Sequence, residues 1–497
     1  MKNIFLALTS LLIISCQSSK KIEAPQFTEL TSFIDLYAEE ALQKGNINSI
    51  AIAVYRDGEY YHNYYGEIDK SAQNLPNDNT LYEIASISKV FAGSLAARAA
   101  LENKIALDDD IRKYLKKDYP NLVFENTPIT IKDLLTHTLG FKNRYPKRLE
   151  EVNTKIAEGY YENKPIEYSM DDLLEELETV ELDKKPGTYF EYNSVGPELV
   201  AYILEQVYHK PYNELLTNFL SELNMENTYL QDFQEHEEYL ANGYNSDDQL
   251  AILDKNPLLG GAAGMISTLP DLSKFMKFQL ESDNPLIKES TRILYDDDDD
   301  NTLGYLWQNM GIAEEEGFYY SKTGTSKGVQ SGLLICPDSN YGQIIIINNN
   351  SDASFEDWGM LFNKVETDLI KYPKINLKTL LKPEFIKDKE AAVQLFNTFE
   401  GEKEKYFNTN LAFTLNSLGY EMLYDQKDIN KAIELFEFAT KEFPENANLY
   451  DSLGEAYFTN EDYEKAFINY NKSLKLNPDN DNAKKYIAEI NQMKSGM

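Results

Sequence analysis

The sequence predicts an α/β chain of the α+β kind, with an antiparallel sheet flanked by helices over residues 29–372 and an all-α repeat domain over 387–497. Three observations predict it. Alternating β runs stand at both ends of the first region, helical patterns fill the space between them, and a repeat of 34 residues appears near the C-terminus.

The elements follow in order. NSIAIAVYRDGEYYHNYYGEID alternates apolar and polar residues around Arg56, Asp57 and Gly58, which signals a hairpin. Residues 86–103 carry alanine and leucine at helical spacing, and 129–135, 173–177 and 196–207 also read as helices. SGLLICPDSNYGQIIIINNN holds two β runs joined by Pro337, Asp338, Ser339 and Asn340, and an amphipathic helix over 354–370 closes the domain. Pro373 and Pro383 punctuate an expected linker over 373–386.

Beyond the linker, Ala432 aligns with Ala466, Phe436 with Tyr470, Ala439 with Ser473 and Pro444 with Pro478, each offset by 34. Leu418-Gly419 aligns with Leu453-Gly454 at an offset of 35, so the turn of the first unit is expected to hold one extra residue. Small residues allow two helices to pack closely and the proline ends the second. The pattern resembles the tetratricopeptide repeat, which implies a protein or peptide partner or a packing extension. Helices over 391–400 and 482–494 are expected to cap the ends.

Of the 497 residues 42% are hydrophobic, enough for a sizeable core. The net charge of −34 argues against nucleic acid or an anionic lipid surface as the main partner, since both require a basic face. The N-terminus, MKNIFLALTSLLIISCQSSKK, has an apolar run over residues 4–14. Eleven residues fall short of the ~20 that span a bilayer and fit the h-region of a signal peptide over 1–15. Ile13, Ile14, Ser15 and Cys16 resemble a bacterial lipobox. The resemblance implies cleavage before Cys16, a lipid on its thiol, a tether over 16–28 and a place in the cell envelope facing the periplasm or exterior. Cys336 is then left without a partner within the chain and reads as a buried thiol. Two cysteines cannot build a cysteine metal site, and His62, His137, His209 and His236 show no ligand-like spacing, so neither metal nor cofactor is expected. The aspartates at 296–300 read as a solvated loop.

Ser86 and Lys89 stand three apart in Ser86-Ile87-Ser88-Lys89, on one face of a helix. A serine hydroxyl needs a base before it becomes a nucleophile, and a lysine can serve when burial or nearby positive charge lowers its pKa. The spacing alone is weak, since Ser18 and Lys21 share it in the tether. Lys322-Thr323-Gly324 leads into a β run, as a strand edge beside a substrate would. KPGTYFEYNSVG from Lys185, LLTHTLG from Leu134 and GGAAGMISTLPDL from Gly260 complete the set. In this order they resemble the serine β-lactamase-related family: class C β-lactamases, D-alanyl-D-alanine carboxypeptidases and related esterases.

The resemblance implies that Ser86 attacks a carbonyl and carries an acyl group. Lys89 and Tyr192 would steer its proton, and Lys322 would hold positive charge near Tyr192. The backbone N–H groups of Ser86 and Thr325 would form the oxyanion hole, and Ser194, Thr323 and Gly324 would contact substrate. One departure stands out. The family's second element is commonly tyrosine-x-asparagine, whereas this chain reads Tyr192-Asn193-Ser194, with the amide one place early and a short hydroxyl in its position. This puts β-lactam and peptide recognition in doubt more than nucleophilic catalysis. His137 reads as structural. The expected activity is a serine hydrolase for an ester or amide: a peptidoglycan-type peptide, a β-lactam or a small ester. The alternative is a catalytically silent penicillin-binding-like scaffold that binds a partner through its repeats.

Overall fold

The computed structural model describes residues 30–495 apart from 163, 231–233, 252, 254, 298–300, 400 and 426. The expected signal peptide, tether and Cys16 lie outside the described residues, as do three of the aspartates at 296–300. The chain divides into a unit Glu29–Tyr372 and a C-terminal unit that begins at Pro373.

The first unit is built on a six-stranded antiparallel sheet. Its order is Gln308–Ala313, Gly317–Thr325, Gln330–Cys336, Tyr341–Ile347, Ser49–Arg56 and Glu59–Gly66. The strands from the two ends of the domain meet in the middle, where Ile50 faces Ile347. Asp57 and Gly58 both have positive φ (51° and 89°), as a two-residue turn matched to strand twist requires. Helices Leu30–Gln43 and Asp352–Leu369 cover one face and Leu269–Glu281 the other. Gly332 lies beneath Trp358 and Phe362 on the first face, and Gly342 beneath Met276 and Leu280 on the second. Tyr341–Ile347 is buried along its whole length, so its isoleucines at 344–347 read as a continuous apolar run rather than an alternation.

The connection between the halves of the sheet is largely helical. Ser88–Leu101 is buried on nearly every side and packs against Val195–Tyr208 and Tyr212–Glu222. Thr130 caps Ile131–Leu135 by a reciprocal bond with Asp133. Leu81–Glu83, Met265–Thr268 and Thr228–Leu230 form a small antiparallel sheet beside this region.

In the C-terminal unit the expected linker at 373–386 is instead structured. Strand Ile375–Asn376 leads into helix Leu377–Lys387, whose Leu377, Leu380, Leu381 and Phe385 are buried in the unit's core. Their helical spacing outweighs the punctuation by proline, and Pro383 sits inside the helix. Leu411–Tyr420 pairs with Ile429–Glu442, and Ala447–Thr459 with Tyr463–Leu476. Lys389–Phe399 precedes these hairpins and Asp481–Ser495 follows them. The extra residue of the first unit is absorbed differently from the expectation: the first helix widens into a π-helical turn over Glu421–Asp425. The packing is thereby kept in phase. A Cβ added to Gly419 would lie 2.4 Å from the Phe436 ring, and one on Gly454 2.9 Å from the Tyr470 ring.

Candidate active site

Ser86 lies in a single 3-10 turn, Ala85–Ile87, between strand Leu81–Glu83 and helix Ser88–Leu101. The helix proper therefore starts two residues later than its spacing predicts. Ala85, just before the serine, has φ +43°, a left-handed conformation unusual for a residue with a side chain. Strand Gly317–Thr325 closes on this turn from the sheet side. A Cβ on Gly324 would stand 2.2 Å from the Ile84 carbonyl oxygen, so only glycine allows the strand to come so near.

Four side chains converge. Lys89 Nζ donates to Ser86 Oγ at 3.1 Å and to the Ala262 carbonyl at 2.7 Å. Tyr192 OH donates to Ser86 Oγ at 2.8 Å. Lys322 Nζ donates to Tyr192 OH at 3.4 Å and also to Gln308 Oε1. Lys89 and Lys322 are each 1% exposed, and their ammonium nitrogens stand 5.0 and 4.9 Å from the centroid of the Tyr192 ring. Burial pushes the Tyr192 phenol up, but the positive charges of Lys89 and Lys322 outweigh it and bring the group down to about 7. Burial, together with the charge of Lys89, lowers Lys322 to about 8. A phenol that ordinarily ionises near 10 is thus poised to take a proton near neutrality.

His137 is buried against this group with its ring centroid 4.7 Å from that of Tyr192. Burial and the charges of Lys89 and Lys322 hold it well below its ordinary value, and its Nδ1 accepts from the Asn193 backbone N–H at 3.5 Å. It makes no hydrogen bond to Ser86; its place is behind the tyrosine.

The amide of Asn193 is used locally. Its Nδ2 donates to the Glu191 carbonyl at 2.8 Å and its Oδ1 accepts from the Gly196 N–H at 3.0 Å. Ser194, next along, lines a cleft of about 870 Å³ together with Ser86, Thr325, Asn153, Asn256 and Glu83. Thr323 does not. Its side chain lines a separate cavity of about 390 Å³ with Trp358 and Phe362, because alternate residues of a strand face opposite ways. The expected substrate contact from Thr323 is therefore corrected: Lys322 and Gly324 face the serine, and the threonine between them does not.

Three participants carry no signal of their own in the sequence. Gln308 holds Lys322 from the neighbouring strand, the Ala262 carbonyl holds Lys89, and Glu198 lies beneath the loop that carries Ala262. Of the three, only Ala262 falls within one of the family-like motifs, GGAAGMISTLPDL, and Glu198 within the expected helix over 196–207.

A Beta-lactamase family model matches residues 34–361, and a tetratricopeptide repeat model matches 447–480. Among relatives, Protein flp of Staphylococcus aureus (strain N315) is 27% identical over 333 residues, covering 64% of this chain and 63% of that protein. The chain thus spans less than two thirds of that relative's length. A Beta-lactamase of Providencia stuartii is 22% identical over 350 residues, covering 63% of this chain and 86% of that one. Among solved structures, a Beta-lactamase/D-alanine carboxypeptidase from Yersinia pestis complexed with citrate superposes with TM-score 0.59 at 21% identity, over 69% of this chain and 99% of that chain. The octameric penicillin-binding protein homologue from Pyrococcus abyssi gives TM-score 0.57 at 20% identity, over 69% and 78%. At these identities the superpositions show a shared fold. The family match takes in more than half of the chain and every residue gathered around Ser86, so the chain belongs to the Beta-lactamase family.

Proposed function

We propose that the chain is a serine hydrolase that opens an ester or amide through an acyl group carried on Ser86. The observation that carries this reading is the serine oxygen held between Lys89 Nζ and Tyr192 OH at 3.1 and 2.8 Å, with Lys322 behind the tyrosine. With Tyr192 ionised, Ser86 gives up its proton to the phenolate as Oγ bonds to the substrate carbonyl carbon. The negative charge that develops on the carbonyl oxygen is met by the backbone N–H groups of Ser86 and Thr325. Collapse expels the leaving group, which takes the proton from Tyr192, and the acyl group stays on Ser86. Water then attacks the acyl carbon, the bond from that carbon to Ser86 Oγ breaks, the carboxylic acid leaves, and the proton from water passes through Tyr192 back to Ser86.

The cleft has the size of a small-molecule or short-peptide site, which keeps a peptidoglycan-type peptide, a β-lactam and a small ester as candidates. Ser194 offers a short hydroxyl where a carboxamide would hold a substrate amide, which favours an ester. The N-terminal run ending at Cys16 supports a lipid anchor in a bacterial envelope, facing the periplasm or exterior. The repeats support a protein or peptide partner.

The test is intact mass of the soluble chain after exposure to a panel of β-lactams, activated esters and a fluorophosphonate, beside Ser86→Ala. An adduct on the parent that is absent from the alanine variant establishes the nucleophile, and the acyl group that turns over identifies the substrate class. A folded parent that takes up no probe sinks the enzyme reading in favour of a silent scaffold that acts through its repeats.

A further inference from the structure

Glu198 lies on helix Val195–Tyr208, four residues beyond Ser194, and is 0% exposed. Among the described residues no lysine, arginine or histidine pairs with it. A buried carboxylate without a countercharge is costly unless hydrogen bonds replace its water. Four donors do so. Asn256 Nδ2 and the Ala262 N–H reach Oε1 at 2.7 and 3.0 Å, and the Leu259 and Gly260 N–H groups reach Oε2 at 2.9 and 3.0 Å. Every one of these groups donates, so the position calls for a side chain that only accepts. A glutamine would set its own N–H₂ against two donors.

All four donors belong to one loop, residues 256–262. Ala262, whose N–H is held by Glu198, presents its carbonyl to Lys89 Nζ at 2.7 Å. Asn256 also donates to the next carbonyl, that of Ala263, at 3.1 Å. The ammonium of Lys89 is a rotor with three donors, and the direction of the one aimed at Ser86 depends on where the others are bound. Tyr192 stands three residues before Val195, where the helix that carries Glu198 starts. Both groups that touch Ser86 Oγ are thereby referred to the same helix, Tyr192 through the chain and Lys89 through the loop.

We propose that Glu198 is a positioning residue for Lys89, tying loop 256–264 to the Tyr192 helix so that the Ala262 carbonyl holds the Lys89 ammonium against Ser86. This rests on the reading of Ser86 as nucleophile, and it assigns a role to a carboxylate that the acyl-transfer steps above leave unused.

The experiment compares Glu198→Gln, Glu198→Asp and Asn256→Ala with the parent, measuring fluorophosphonate labelling of Ser86 across pH, thermal melting and a crystal structure of Glu198→Gln. Misplacing Lys89 is expected to slow labelling by about 100-fold in Glu198→Gln and to displace the pH profile, with partial recovery in Glu198→Asp. Asn256→Ala is expected to lose about tenfold and to displace the profile in the same sense. A folded Glu198→Gln that labels within about twofold of the parent, on an unchanged pH profile, overturns the proposal even if its melting temperature falls. If Glu198→Gln does not fold, Asn256→Ala decides by the same criteria. If the parent itself takes up no probe, the hydrolase reading fails and the crystal structure decides the positioning. An Ala262 carbonyl out of reach of Lys89 Nζ upholds it, and a retained 2.7 Å contact overturns it.

Discussion

Phe436 over Gly419 and Tyr470 over Gly454 are the same contact made twice, and the π-helical turn at Glu421–Asp425 takes up one surplus residue without disturbing either. Around Ser86 no contact occurs twice. Lys89, Lys322 and Glu198 are all buried, each charge is met by particular oxygens or N–H groups, and those partners come from separate stretches of the chain. The repeat unit is held by packing area, which is non-directional and forgives a shift of one residue. The serine site is held by directed bonds to desolvated charges, where a lost partner leaves a group uncompensated.

That contrast can be broken or sharpened in order of effect. Ser86→Ala is expected to abolish covalent labelling while melting stays near that of the parent, as read by intact mass and calorimetry. Tyr192→Phe removes the proposed proton acceptor and is expected to slow labelling by about 10²–10⁴-fold, measured as a second-order rate constant. The parent's rate is expected to rise as pH climbs through about 7, where Tyr192 loses its proton, and to fall above about 8, where Lys322 loses its charge. In Lys322→Ala the acid limb should move upward, because Tyr192 then has one cation fewer to lower it; a limb that stays in place would assign it to another group.

The repeats should answer differently. Gly419→Ala is expected to destabilise the chain by roughly 1–3 kcal/mol through overpacking against Phe436, with Gly454→Ala milder because its ring stands farther off. Neither is expected to alter Ser86 labelling, and a change in labelling would show that the two units are energetically coupled. Smallest of all, Lys210→Ala removes an exposed pair with Glu214 at 2.6 Å and is expected to shift stability by less than about 0.5 kcal/mol.

The parts of the fold that repeat or alternate were legible from residue order. The hairpin at Asp57-Gly58, the two strands around Pro337 and the second repeat all carry their signal within a few residues of where it acts. Ser86, Lys89, Tyr192 and Lys322 were legible because each sits in a short distinctive motif. Glu198 was not, since three of its four partners are backbone N–H groups some sixty residues away and a backbone group leaves no mark on side-chain pattern. Gln308 escaped for a related reason: it meets Lys322 only across a strand pair with an irregular register between Gln308 and Gly311. The helix Leu377–Lys387 was hidden by Pro373 before it and Pro383 within it, which read as punctuation until burial of Leu380 and Phe385 outweighs them. Thr323 misled because a motif names neighbours in sequence, and neighbours on a strand face apart.

The central strand pair has a consequence in time. Ser49 and Asn348, 299 positions apart, bond to each other where the first strand meets the last. Closing so long a loop is entropically expensive before any neighbour rewards it, so chains of this kind assemble slowly and late. The strand bearing Lys322 belongs to the same four-stranded meander at the end of the first unit. While a newly made chain still lacks that segment, Ser86 has no Lys322 behind its tyrosine and no Thr325 beside it. On the proposed reading Ser86 therefore stays inert until synthesis has passed Thr325, the end of that strand, a delay that comes from topology alone and requires no inhibitor.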